Sequence, residues 1–190
     1  MSIGTRLSLG RADHGRVVSA DEFVDAEFDD SGVYERAHGR LVVMTPEGID
    51  HVLASNPWRN RLIVFQFQNP GIIHEVVTQN WVRPDRDTDR IGDIGVFLAT
   101  RPFNLPDGAP DLMFEIVSAG KANRIRDYVT KRAEYEAIGV KEYVIVDRFE
   151  RMVTVLTLGD GRYAERVLTD ADTYETPLLP GFAVRLSEVF

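Results

Sequence analysis

The sequence predicts an α/β domain in which a mixed sheet is flanked by helices and extended by a C-terminal hairpin. Three observations predict it. Apolar runs at 112–117 and 142–147 have the pattern of strands covered on both faces. Between them, residues 121–138 have the spacing of a helix closed by Gly139, and a strand–helix–strand succession calls for a crossover. Short glycine turns at His38-Gly39 and Gly159-Asp160-Gly161 join pairs of strand-like runs, which is hairpin chemistry.

In chain order, residues 1–18 show no periodicity and are expected to be an irregular lead-in, with a single domain over 19–190. Ser19 and Glu22 have capping-box spacing for a short helix that Phe23 and Phe28 would anchor. Val33-Tyr34-Glu35 and the run 40–44 form the first hairpin. From Gly48 the positions Ile49, Val52, Leu53, Leu62, Ile63 and Phe67 suit a helix that Pro57 should kink or restart, and Asn69-Pro70-Gly71 ends it. Strands are expected at 72–82, 91–99 and 112–117, then the helix, then strands at 142–147, 152–158 and 163–168 and a short apolar tail in LLPGFAVRLSEVF. No repeat, low-complexity tract or linker interrupts this order.

Composition narrows the chemistry. With no cysteine, disulfide scaffolds, thiolate zinc sites and cysteine nucleophiles are excluded. No apolar stretch approaches the roughly 20 residues that span a bilayer, and the first residues lack a signal-peptide core, so a cytoplasmic protein is expected. The net charge of −8 argues against a face that clamps nucleic acid along its whole length, although a local basic site remains open around Lys121, Arg124, Arg126, Lys131 and Arg132.

Glu115 poses the functional question, because a carboxylate within the apolar run LMFEIV is costly unless a cation or solvent meets it. Asp93, between Gly92 and Gly95, is a second acid on a neighbouring predicted strand. If the two strands are adjacent, the carboxylates can converge with the Ile116 carbonyl on a magnesium or manganese ion, which takes one or two protein carboxylates and keeps its waters. On the helix, Ile125, Tyr128, Val129 and Tyr135 form the expected inward arc and Lys131 sits at its edge, able to reach the sheet end. Water activated there could attack a phosphodiester while Lys131 orients it or stabilises the transition-state charge. Ordinary readings stand beside these: Asp93 as a turn residue, Lys131 as a surface partner of Asp127, Glu35 as a partner of Arg36 or Arg40, Trp58 and Trp81 as packing residues and not base-stacking platforms.

The segments YERAHGRLVVMTPEGIDH, GDIGVFLA, APDLMFEIVSAG, DYVTKRAEYEAIGVKEYVIVD and LLPGFAVRLSEVF together resemble the Uma2 family, also called DUF820, within the PD-(D/E)XK nuclease superfamily. The resemblance implies a restriction-endonuclease-like core over most of the chain, with Asp93 as the first acid and Glu115 as the second. Val117 stands where the usual motif lysine would be, and Lys131 on the next helix is the position that substitutes. Glu35 matches a family glutamate that contacts metal or water, and His51 matches a family histidine. Gly92 replaces a proline before the aspartate, and Ser118-Ala119-Gly120 replaces a serine-proline-serine turn. The expectation is a magnesium- or manganese-dependent endonuclease acting on DNA as a homodimer, whose two-fold symmetry would suit a duplex. Its rivals are a catalytically silent module that binds nucleic acid or protein, and a metal-free hydrolase using Asp93 and Glu115 as an acid/base pair.

Overall fold

Strand β6, Thr88–Leu98, organises the molecule because it has partners on both edges and changes partner along one of them. In the computed structural model, which describes residues 6–46, 48–100 and 108–190, the chain opens with β1 (Ser8–Leu9), a 3-10 turn (Arg11–Asp13), α1 (Ala20–Asp25) and β2 (Glu27–Phe28). The hairpin β3 (Val33–Ala37) and β4 (Arg40–Met44) follows, then α2 (Ile49–Gln68), β5 (Ile73–Asp85), β6 and β7 (Leu112–Ile116). Helix α3 (Lys121–Ile125) runs through a π-helical turn, Arg126–Lys131, into α4 (Arg132–Ala137). The chain ends with β8 (Glu142–Asp147), β9 (Met152–Gly159), β10 (Arg162–Thr169), β11 (Thr173–Glu175), β12 (Ala183–Arg185) and a 3-10 turn, Leu186–Glu188.

Among the described residues, eight strands form one mixed sheet in the order β10-β9-β8-β7-β6-β3-β4, with β5 also on β6. Only β7 and β8 pair in parallel within it, joined by the α3–α4 crossover, as the strand–helix–strand pattern requires. His38 and Gly39, and Asp160 and Gly161, all take positive φ, the conformation of a two-residue hairpin turn whose twist matches its strands.

One sheet face packs on α2 and the C-terminal segment through Trp58, Leu62, Phe114, Ile116, Tyr174 and Phe182. The other packs on the crossover helix through Met113, Val117, Tyr135, Tyr143 and Ile145. Glu115 belongs to the second face by strand alternation, since Phe114 and Ile116 point the opposite way. Trp81 stacks on Phe23 with centroids 5.2 Å apart, and Trp58 is wholly buried, so both tryptophans are packing residues.

Several expectations are corrected. The described part of the lead-in is ordered: Leu9 and Val18 are buried with Phe23, Tyr34 and Leu41, and β1 pairs with β2; residues 1–5 lie outside the described residues. Pro57 sits inside a single 20-residue α2 and neither starts a new helix nor ends one. The inward side of α2 is His51, Trp58, Leu62 and Phe65, while Ile49, Val52, Leu53 and Phe67 are exposed. The crossover helix keeps part of the expected arc, with Tyr135 buried and Tyr128 packed beside it, and turns the rest outward. Ile125 and Val129 are exposed, and Asp127, Lys131 and Tyr135 are buried. The π-helical turn supplies the reason, because its wider winding rotates everything after Arg126 relative to an ideal α-helix.

Candidate functional site

The site occupies a gap in the hydrogen-bond ladder. On one edge β6 pairs with β3 at Arg36 and Asp89, then with β7 only from Ile94 and Phe114 onward. The intervening backbone must find other partners. Ile91 N–H donates to Glu35 Oε1 at 3.0 Å, and the Ile91 carbonyl accepts from Lys131 Nζ at 2.9 Å. Across the gap, Ile116 N–H donates to Asp93 Oδ2 at 2.6 Å, and the Ile116 carbonyl is 2.9 Å from His51 Nε2. Four of the residues read from the sequence thus replace the missing ladder bonds. Extending the β6–β7 register by one position sets Asp93 opposite Glu115.

Gly92 permits this arrangement. A Cβ there would lie 2.3 Å from Met113 Sδ and 3.2 Å from Glu115 Oε1, so the Glu115 side chain crosses the space a larger residue would fill. Asp93 is interior to β6 and is no turn residue.

Glu115 Oε1 accepts from Lys131 Nζ at 2.7 Å and from the Tyr135 hydroxyl at 3.0 Å. Burial pushes Glu115 up to about 8; the Lys131 ammonium opposes this, and the Asp93 and Asp127 charges add to it. Burial works against the Lys131 ammonium, yet Glu115, Glu35 and Asp127 together hold it above its ordinary value. Asp127 is likewise raised by burial. Lys131 is therefore no surface partner of Asp127, because both side chains are buried. Glu35 does not pair with Arg36 or Arg40 either. Arg90 Nη1 meets it at 3.1 Å while holding Glu134 at 2.6 Å, and Arg36 instead bonds Asp89 at 2.7 Å.

Glu35, Asp93, Glu115, Ile116, Lys131 and His51 line one cavity of about 480 Å³. His51 Nε2 stands 3.2 Å from Asp93 Oδ2, the oxygen that also accepts from the Ile116 N–H. Arg126, one of the locally dense basic residues of the sequence, lines the same cavity, and so does Arg148, which did not stand out there. So does Gln79, a non-glycine residue at φ 50 on β5. Asp127 carried one legible signal, its position four residues before Lys131.

A protein-family profile described as "Uma2: Putative restriction endonuclease" matches residues 20–187. The chain belongs to the Uma2 family. Among solved structures it is similar to a protein from Anabaena variabilis described as a putative nuclease belonging to DUF820. The two share 16% identity over 91% of this chain and 97% of that one, with a TM-score of 0.71. At that identity the likeness shows the fold, a mixed sheet with flanking helices that the two chains have in common. No curated protein matches. Among the described residues no helix is long and apolar enough to cross a membrane.

Proposed function

We propose that this Uma2 chain is a divalent-cation-dependent endonuclease that hydrolyses DNA phosphodiester bonds. The observation that carries the reading is the register placement of Asp93 opposite Glu115 at the β6–β7 splay, with Lys131 Nζ 2.7 Å from Glu115. The donor set suits magnesium or manganese. Asp93 Oδ1 and Glu115 Oε2 accept no hydrogen bond among the described residues, and the Ile116 carbonyl adds a third hard oxygen. Among the described residues no three His, Cys, Asp or Glu side chains group as a metal cage, so the fit is to an ion that keeps several waters. A cation bound there supplies positive charge against the phosphate and lowers the pKa of water.

The chain's own residues do the rest. Lys131 has three N–H donors and uses two of them on Ile91 and Glu115, which leaves one for a phosphate or water oxygen. Its charge, held up by three carboxylates, stabilises the negative charge that grows on the phosphorus oxygens. Glu35 keeps Lys131 and Ile91 in place, and His51 fixes Asp93. Homodimerisation suits a duplex target, since two-fold symmetry would present one site to each strand.

The test is cleavage of supercoiled and linear DNA in magnesium, manganese and chelator, with Asp93→Ala, Glu115→Ala and Lys131→Ala alongside. Metal-dependent nicking lost in all three variants supports the reading. Folded protein that cuts nothing under either metal would replace it with a silent binding module. One observation favours that second reading: Glu115 and Lys131 already satisfy each other as a buried ion pair.

A further inference from the structure

We infer that Arg148 is a docking point for a backbone phosphate of the DNA strand, beside the acidic end of the cavity. This rests on the nuclease reading and extends it to how the strand is held. Among the described residues three arginine or lysine side chains line the cavity, and two are committed: Lys131 to Glu115 at 2.7 Å, and Arg126 to Asp127 at 3.4 Å. Arg148 has no ion pair and no hydrogen bond among the described residues, and its Nε is shielded from water without a partner. An arginine whose five donors are uncommitted, one of them shielded, is costly to keep unless an anion meets it.

The surroundings hold Arg148 ready. It follows the last residue of β8, the strand parallel to β7, so it stands at the same carboxyl end of the sheet as the loop after Glu115. Ligands of open α/β sheets bind at that end. Asp147 fixes the turn that presents it: Oδ1 accepts from the N–H groups of Phe149 at 3.1 Å and Glu150 at 3.2 Å, and Oδ2 pairs with Arg124 at 2.5 Å. The Phe149 ring lies 4.6 Å beneath the guanidinium carbon, which orients the planar fork without using a donor. A guanidinium stacked on one face and unbonded at its edge is suited to bidentate contact with a phosphodiester. The arrangement also answers the net charge of −8, because one uncommitted arginine beside the acids can position a strand that the rest of the surface repels.

The experiment is fluorescence anisotropy of a labelled DNA oligonucleotide, and of the same oligonucleotide with uncharged methylphosphonate linkages, over a salt series in calcium and in chelator. Wild-type protein, Arg148→Ala and Arg148→Lys are compared, with thermal melting and magnesium-dependent cleavage measured on each. The expected result is binding about tenfold weaker in Arg148→Ala, with the slope of log affinity against log salt reduced by about 0.9 for a duplex, one phosphate contact. Arg148→Lys keeps the slope while losing part of the affinity, and all three proteins melt together. Wild-type affinity and slope in Arg148→Ala would overturn the inference, as would a large fall in its melting temperature, which would mark a structural role. Cleavage by wild type with Arg148→Ala binding unchanged sinks this inference alone. A reduced slope without cleavage by any protein keeps Arg148 and sinks the nuclease reading, whereas wild-type protein that binds no DNA sinks both.

Discussion

Glu115 and Glu142 are buried acids on neighbouring parallel strands, one near each end of the β7–β8 pair, and they are satisfied in opposite ways. Glu142 accepts from two neutral hydroxyls, Tyr174 at 2.5 Å and Thr176 at 3.1 Å, which pin the C-terminal segment to the sheet. Glu115 accepts from one hydroxyl, that of Tyr135, and from an ammonium that is itself shared with the Ile91 carbonyl. Burial raises both carboxyls above the ordinary glutamate range. The difference teaches that a buried acid is not by itself a sign of chemistry. What sets Glu115 apart is a second carboxylate across the register, a charged partner with a donor to spare, and a cavity beside them.

The largest effect should come from breaking the charged pair. Lys131→Ala strips Glu115 of its ammonium and, in urea unfolding at a pH above about 8 where the carboxylate is charged in the wild type, should cost about 3–5 kcal/mol, whereas Lys131→Met with Glu115→Gln should recover most of it. A cost below about 1 kcal/mol for the single change would make the pair no stronger than an exposed one. At the neutral end, Tyr174→Phe removes one hydroxyl from Glu142 and should cost about 1–3 kcal/mol, smaller because no charge is stranded. Equal losses at both ends would erase the comparison.

Filling the space beside Glu115 tests how it is shaped. Gly92→Ala puts a Cβ against Met113 and Glu115 and should cost about 1–3 kcal/mol, relieved when Met113→Ala is added. A variant that remains at wild-type stability would show that Met113 simply swings aside.

The two ends also differ in their response to pH. Because the folded value of Glu115 lies above its ordinary 4.5, the metal-free native state binds the extra proton, and stability is lost as pH rises from 4.5 through about 8. Glu115→Gln should flatten that fall in urea midpoints. Under the proposed function a cation competes with the same proton, so magnesium affinity should rise by up to about tenfold per pH unit and level off above about 8. Calorimetry in buffers of different ionisation enthalpy checks it, and affinity that does not change with pH would remove Glu115 from the metal site. The smallest change is Glu142→Gln, which keeps an acceptor for Tyr174 and should stay within about 1 kcal/mol.

Local pattern accounts for most of the fold. Strand alternation, the glycine turns and the crossover were all legible between residues 33 and 168, and they bring Asp93, Glu115 and Lys131 together as the sequence suggested. The hairpin arms joining β5 and β6 were less so: the arms run to Asp85 and Thr88, through polar residues that pair by register and not by apolar pattern. The apolar spacing of α2 marked a helix but not its inward face, since periodicity marks spacing and not which stripe meets the sheet, and Ile49, Val52, Leu53 and Phe67 are exposed.

By itself the sequence determined the order of elements between residues 33 and 168 and the two acids, because strand period and the cost of a lone carboxylate are local properties. Only the tertiary structure decided the site. The gap between the β3 and β7 pairings of β6 creates unpaired backbone groups at Ile91, and long-range partners had to fill them. The π-helical turn then chose which face of the crossover helix, the one with Asp127, Lys131 and Tyr135, looks into the protein. No window of neighbouring residues contains that choice, because hydrogen-bond partners up to 65 positions apart close the site.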